Sequence, residues 1–162
     1  MSIQPFPEWP ALLAGYNHVN TYGRANGMTL SAPAPGQAEY RMVIRPEHLS
    51  SPGVAHGGVV AGLMDAVLGA AALTLAFTTN ELVSTVEFKV NFLHPVRLGD
   101  ELRATAQVDH TGKSLLVCSG TIYRQVPGEI AETAVAQGMG TFNRYPAGKR
   151  LGELGAVSDL LP

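Results

Sequence analysis

Residues 57–77 read Gly-Gly-Val-Val-Ala-Gly-Leu-Met-Asp-Ala-Val-Leu-Gly-Ala-Ala-Ala-Leu-Thr-Leu-Ala-Phe. Ala, Leu, Val and Gly occupy nearly every position, and no polar face recurs at helical spacing. A helix of this composition is apolar all round and must be buried all round. The length is enough to pose the question of a membrane span. Asp65 in its middle, its four glycines and the strand-like sequence after it argue instead for the buried helix of a globular domain. Something in the rest of the chain has to wrap it.

The wrapper is written on both sides. Residues 82–94 alternate, with Leu82, Val86, Phe88, Val90 and Phe92 on one face and Thr85, Glu87, Lys89 and Asn91 on the other. Pro95 and Leu98-Gly99-Asp100 then make a turn. Residues 101–109 alternate again, with Leu102, Ala104, Ala106 and Val108 facing inward. Thr111-Gly112-Lys113 is a hairpin turn. Residues 114–126 and 129–143 form two more strands, and the tail from Tyr145 reads as loose. Before the helix, strands are expected over 27–33 and 37–45, with a loop over 47–55. A short amphipathic helix is expected over 9–15, and 16–27 has no clear period. The order β-β-α-β-β-β-β is α+β: an antiparallel sheet curled around one central helix. The chain divides into an N-terminal capping segment (1–26), one domain (27–144) and a C-terminal tail (145–162).

Composition narrows the function. The 162 residues are 46% hydrophobic and 15% charged, and the net charge is −2. A disordered chain would be poorer in the first and richer in the second. No broad positive field exists for nucleic acid. Cys118 is the only cysteine, and the five histidines are scattered, so no disulfide framework or multi-cysteine metal site is expected. The N-terminus lacks the basic start and apolar core of a signal peptide, and the expected compartment is the cytoplasm. Sparse charge points to surface covered in an oligomer.

The chemistry concentrates on the helix. Between Glu47 and Glu81 the only Asp, Glu, Lys or Arg is Asp65. A carboxylate kept among apolar neighbours is either paired, hydrated in a cleft or used as a base or nucleophile. His56-Gly57-Gly58 opens the same helix, whose terminus presents unpaired N–H groups and partial positive charge to a developing oxyanion. Gly57 and Asp65 are eight residues apart, roughly 12 Å along the axis. One reacting carbon cannot touch both. If both act on one carbonyl, the second must come from another subunit, and two antiparallel helices across a twofold axis meet that need.

The run His56-Gly-Gly-Val-Val-Ala-Gly-Leu-Met-Asp65 resembles the HGG-(x)6-D signature of hotdog-fold acyl-CoA thioesterases, and most resembles the phenylacetic-acid-degradation (PaaI-like) subfamily. Residues 85–95 resemble the strand that follows the helix in that family. Leu98-Gly99-Asp100, Gly112-Lys113-Ser114 and residues 138–142 sit where it has similar segments. The match runs from about residue 27 to 143. The resemblance implies a hotdog domain that hydrolyses an acyl-CoA or aryl-acyl-CoA thioester to free acid and CoA. Asp65 is then the general base or nucleophile. The Gly57 N–H polarises the carbonyl with His56 beside it, and Thr85 helps to place substrate or water. Ser50, Gly58, Lys113 and Ser114 are the implied substrate contacts, the last two toward the CoA phosphates. The family needs no metal and no cofactor beyond the CoA of its substrate. It forms homodimers with shared sites that usually pair into tetramers.

Two features depart from the family pattern. Ser50 stands where many members have asparagine. Strict alternation puts Thr85 on the polar face, so a bulge or the strand start must turn it toward the helix. Two other functions stay open. A hotdog hydratase or dehydratase pairs histidine with a carboxylate, as His56 and Asp65 could. A non-catalytic acyl-CoA-binding domain keeps the fold without the chemistry.

Overall fold

The computed structural model describes residues 9–125, 128 and 131–147. The elements in chain order are α1 (Trp9–Val19), α2 (Thr21–Ala25), β1 (Thr29–Ser31), β2 (Gln37–Val43), β3 (Leu49–Ser51), β4 (Val54–Ala55), α3 (Gly57–Ala76), β5 (Glu81–Phe92), β6 (Glu101–Thr111), β7 (Leu115–Gln125) and β8 (Glu132–Pro146). Six strands form one antiparallel sheet in the order β1-β2-β6-β7-β8-β5, and β3 pairs only with β4. The sheet curls around α3, which packs against β2, β5, β6, β7 and β8. This is the hotdog fold. By length and composition alone α3 could span a bilayer, and here five strands cover it instead.

The core is the meeting of α3 with the inward residues of the strands. Leu63, Met64, Val67, Leu68, Ala71 and Ala72 of the helix are fully buried. Facing them are Tyr40, Leu102, Ala104, Leu116, Cys118, Ile122, Ala136 and Phe142. Burial and the nearby Asp109 push the Cys118 thiol up to about 12, so it behaves as a small apolar side chain. The helix ends where a 3-10 turn, Phe77–Thr79, leads to Asn80, whose φ of 57° turns the chain into β5.

Several boundaries differ from the sequence expectation. The N-terminal helix runs on to Val19, and α2 follows, capped by the Asn20 side chain, which accepts a bond from the Gly23 N–H. The stretch read as a loop over 47–55 holds the β3–β4 hairpin. The last strand continues to Pro146, with Tyr145 opposite Leu82. Residues 1–8 and 148–162, which hold much of the expected capping segment and tail, lie outside the described residues.

The most consequential difference is in β5. The alternation expected along 82–94 is broken at Val86. Thr85 pairs with Phe142 and Glu87 pairs with Thr141, so Val86 is an extra residue with no partner. It is 58% exposed, not inward. Before the bulge the inward residues are Val83 and Thr85; after it they are Phe88 and Val90. A one-residue insertion reverses the faces of the strand on one side of it.

The helix lies close to the sheet where Gly120 of β7 and Gly138 of β8 present no side chain beneath it. A Cβ on Gly138 would lie 2.8 Å from the Sδ and Cγ of Met64 and 2.8 Å from the carbonyl oxygen of Lys89. Met64 can rearrange, but the Lys89 backbone cannot. Gly138→Ala is therefore expected to destabilise the fold by about 1–3 kcal/mol through overpacking. Guanidinium unfolding should show a lower midpoint, and an unchanged midpoint would mean that β8 moves away from α3 at no cost.

Candidate functional site

His56 is the N-cap of α3. Its Nδ1 accepts a hydrogen bond from the Gly58 N–H at 2.8 Å, and its carbonyl accepts from the Val59 N–H at 2.9 Å. A Cβ on Gly58 would sit 2.8 Å from that Nδ1, so glycine there is what lets the ring fold back as a cap. With Nδ1 accepting, the neutral ring carries its proton on the exposed Nε2. The Gly57 N–H has no partner among the described residues and is exposed. Of the first three amides of α3, only this one is free to receive a ligand oxygen. The Gly58 amide, expected as a substrate contact, is already occupied by His56.

Asp65 lies two turns along α3, half-buried on the side that the sheet leaves uncovered. The residues sharing that side one and two turns back are Gly58, Ala61 and Gly62, all small. Thr85 Oγ1 donates to Asp65 Oδ1 at 3.0 Å. The bulge at Val86 makes this contact, because it turns Thr85 from the polar face toward the helix. The carboxylate thus has a hydroxyl donor from an adjacent strand to orient it. In one chain it remains about 12 Å along the helix from Gly57.

The other expected residues are more distant. Ser50 is the extra residue of the β3–β4 hairpin, exposed and without a hydrogen-bond partner among the described residues. Nothing connects it to Gly57 or Asp65. Lys113 and Ser114 are exposed in the β6–β7 turn. The Ser114 carbonyl accepts from the Arg144 N–H at 2.8 Å, and Arg144 pairs with Val83. The turn therefore lies at the Thr85 end of the sheet, two strands away, without touching Asp65. Among the described residues, no three His, Cys, Asp or Glu side chains gather as a metal site.

Sequence reasoning missed two residues near the site. Tyr22, in a segment without clear period, lays its hydroxyl on Gly62, where a Cβ would be only 2.0 Å away. Gly62 is one helical turn from Asp65, so the N-terminal segment reaches the uncovered side of α3. His48 is the second. It is 3% exposed, and its Nδ1 accepts from the Arg45 N–H at 3.1 Å. Its carbonyl accepts from the His56 N–H at 2.8 Å, which ties it to the start of α3. Its Nε2 is buried without a partner among the described residues.

Residues 52–131 match the family model described as the thioesterase superfamily. The human protein named acyl-coenzyme A thioesterase 13 is 29% identical over 117 residues, covering 70% of this chain and 77% of its own. A conserved protein of Pseudomonas aeruginosa superposes with a TM-score of 0.67 at 31% identity, over 78% of this chain and 95% of that one. The PaaI protein of the Escherichia coli phenylacetic acid degradation operon superposes with a TM-score of 0.73 at 26% identity, over 85% and 92%. Residues 52–131, just under half of the chain, are thus similar to the thioesterase superfamily. The two halves of the signature, Gly57 and Asp65, lie at separate points of one helix, the first with a bare amide and the second held by Thr85.

Burial lowers the His48 pKa below the ordinary histidine value, with Arg45 adding to the shift and Glu47 opposing it. The folded protein therefore holds His48 neutral where the unfolded chain would protonate it. Stability from this residue is complete above about pH 6.5 and is lost as pH falls from there toward the lowered folded value. His48→Gln should flatten the acid side of the stability profile between pH 7 and 5. Denaturation midpoints measured across that range should show a steeper fall for the wild type than for the variant.

Proposed function

We propose that the protein hydrolyses acyl-CoA thioesters in sites shared across a homodimer. The observation that carries the reading is the division of labour on α3. A free backbone donor stands at Gly57, and an oriented carboxylate stands at Asp65 too far away to act with it in the same chain. The family match over residues 52–131 and the human relative named as an acyl-CoA thioesterase support the substrate class. In this reading the carbonyl oxygen accepts from the Gly57 N–H, where the helix terminus stabilises the charge that develops. The partner's Asp65 drives addition to the carbonyl carbon, either by taking a proton from water or by attacking directly. Both routes need the anion, and Thr85 orients it. When water adds, the C–S bond then breaks, the sulfur takes the proton held by Asp65 and leaves as CoA; when Asp65 adds, the C–S bond breaks to an acyl-Asp65 anhydride, which water hydrolyses to the free acid and the regenerated carboxylate.

The dimer has structural support. β5 is an edge of the main sheet, and its outer edge has no strand partner among the described residues. A long unpaired edge invites pairing with a second copy. On the side of α3 that carries Asp65 the helix's own residues are small, and the Tyr22 hydroxyl lies over Gly62 one turn away. Pairing of dimers into a tetramer, a cytoplasmic setting and the absence of any metal requirement belong to the same reading. The hydratase and the non-catalytic binding domain are the alternatives it competes with.

A panel of CoA thioesters with a thiol-detecting dye should show turnover, and crotonyl-CoA should not be hydrated. Asp65→Asn should keep the fold and lower kcat by about 100-fold or more, with a smaller effect on KM. Wild-type turnover in that variant would make Asp65 a structural residue. Sharing is tested by mixing Asp65→Asn with Gly57→Pro, which deletes the N–H donor. After subunit exchange, shown with mass-tagged chains, about half of the dimers are mixed, each with one intact site of two. Roughly a quarter of wild-type activity should return. No return, with both variants folded and exchange confirmed, would mean that each chain builds its own site.

A further inference from the structure

Beside Gly57 a cavity of about 330 Å3 opens between β4, the start of α3 and the end of β5. Its walls are Val54, Val60, Phe92, Leu93, Pro95 and Val96, with His94 the only ionisable side chain among its lining residues. Phe92 faces the Gly57 backbone: a Cβ on Gly57 would lie 3.7 Å from its Cζ and 3.8 Å from its Cε1. We infer that this cavity is the acyl-binding subsite and that Phe92 sets which acyl groups fit it. The inference rests on the thioester reading above and deepens it to a substrate class.

With its oxygen on the Gly57 N–H, the carbonyl carbon lies within reach of the Phe92 ring. Two substituents leave that carbon in the carbonyl plane. The sulfur arm carries a long polar chain ending in phosphates, which cannot enter an apolar cavity without losing hydration. The acyl chain gains by entering one. The cavity is therefore matched to the acyl side and leaves the sulfur side to solvent or to the partner subunit.

The walls differ in how firmly they are held. The Ala55 N–H donates to the Val96 carbonyl at 2.9 Å, and the Leu98 N–H donates to the Gly53 carbonyl at 3.1 Å. Leu93 N–H donates to the Val135 carbonyl at 2.8 Å, and Arg124 Nη1 donates to the Pro95 carbonyl at 2.8 Å. The Arg97 N–H is held by Asp100 Oδ2 at 2.8 Å. These bonds fix the backbone on both sides of the cavity. Phe92 is 55% exposed and is the one large side chain set against the catalytic amide. Its size, not loop movement, decides the room at the entrance. The groove is open on one side and far larger than an acetyl group. The matching class is a medium-length acyl or an arylacetyl group, and acetyl would leave most of the cavity empty.

The test uses the full-length protein, Phe92→Ala, Phe92→Trp and a control, Leu115→Ala, on an exposed strand position that does not line the cavity. Circular dichroism and sedimentation should first show the same fold and assembly in all four. Across even-numbered acyl-CoAs from acetyl to palmitoyl, together with phenylacetyl-CoA, wild-type kcat/KM should peak at medium length. Phe92→Ala should move the peak to longer chains and raise the longest substrates about tenfold relative to the peak. Phe92→Trp should move it to shorter chains by a similar factor. Acetyl-CoA should change by less than about twofold, and the control should leave the profile in place. A profile unmoved by both Phe92 variants, or one scaled equally at every chain length, would overturn the assignment; equal scaling would place the ring against the sulfur arm.

A second readout separates this inference from the thioesterase reading. S-alkyl-CoA thioethers cannot be hydrolysed, and their affinities can be read by calorimetry. Wild-type affinity should rise with alkyl length, and the rise should be cut short in Phe92→Trp. If no thioester is turned over, the hydrolase reading fails. If S-alkyl-CoA affinity does not depend on alkyl length, the acyl subsite fails whatever the turnover.

Discussion

A helix with one charged side chain in twenty residues can be kept from water only by a sheet that closes on it from several directions, and closure cannot be complete. The strands that cover α3 leave one side open, and the chain places Asp65 there among glycines and alanines. The same packing that stabilises the core through Leu63, Met64, Val67 and Leu68 thereby selects the position of the half-buried carboxylate. A carboxylate at Met64 or Val67 instead would be buried without hydration, at a cost of several kcal/mol. Burial and chemistry are thus solved by the same helical phase.

The sheet contributes more than cover. Without the extra residue at Val86, every inward position of β5 would fall on one parity, and Thr85 would point to solvent. With it, the strand keeps Phe88 and Val90 on the core and also delivers Thr85 to Asp65. At the other end of α3, two glycines divide two tasks. Gly58 gives room to the capping ring of His56, and Gly57 leaves its amide bare. A side chain at Gly58 would push the cap aside.

Much of this was legible in the residues because it follows from period. The all-apolar run over 57–77 announced the buried helix, and Leu102, Ala104 and Ala106 announced the inward face of β6. The Gly57–Asp65 spacing was equally readable, since a regular helix converts sequence distance into length. The bulge was not readable from alternation. Leu82, Val86, Phe88, Val90 and Phe92 keep one parity throughout, and only the pairing with Phe142 and Thr141 shows that Val86 has slipped out of it. The need for such a bulge could be stated from Thr85, but not its place. His48 was invisible for a different reason. Its burial depends on a two-strand hairpin that carries no periodic signal. Tyr22 depends on a long-range contact with Gly62 that no local pattern encodes.

The arrangement also suggests why one helix would carry both halves of a site it cannot complete. A donor and a carboxylate placed side by side in one chain would form a hydrogen bond with each other, and each would lose its use for substrate. Two turns of helix keep them apart in the isolated chain, so the Gly57 amide stays unpaired and Asp65 is engaged only by Thr85. A twofold axis near the middle of the Gly57–Asp65 interval would bring each to the other's counterpart across a gap sized by helix packing, 8–10 Å between axes. Association would then do what a single chain cannot: set two mutually attractive groups near one carbon while the substrate, and not their own contact, fills the space between them.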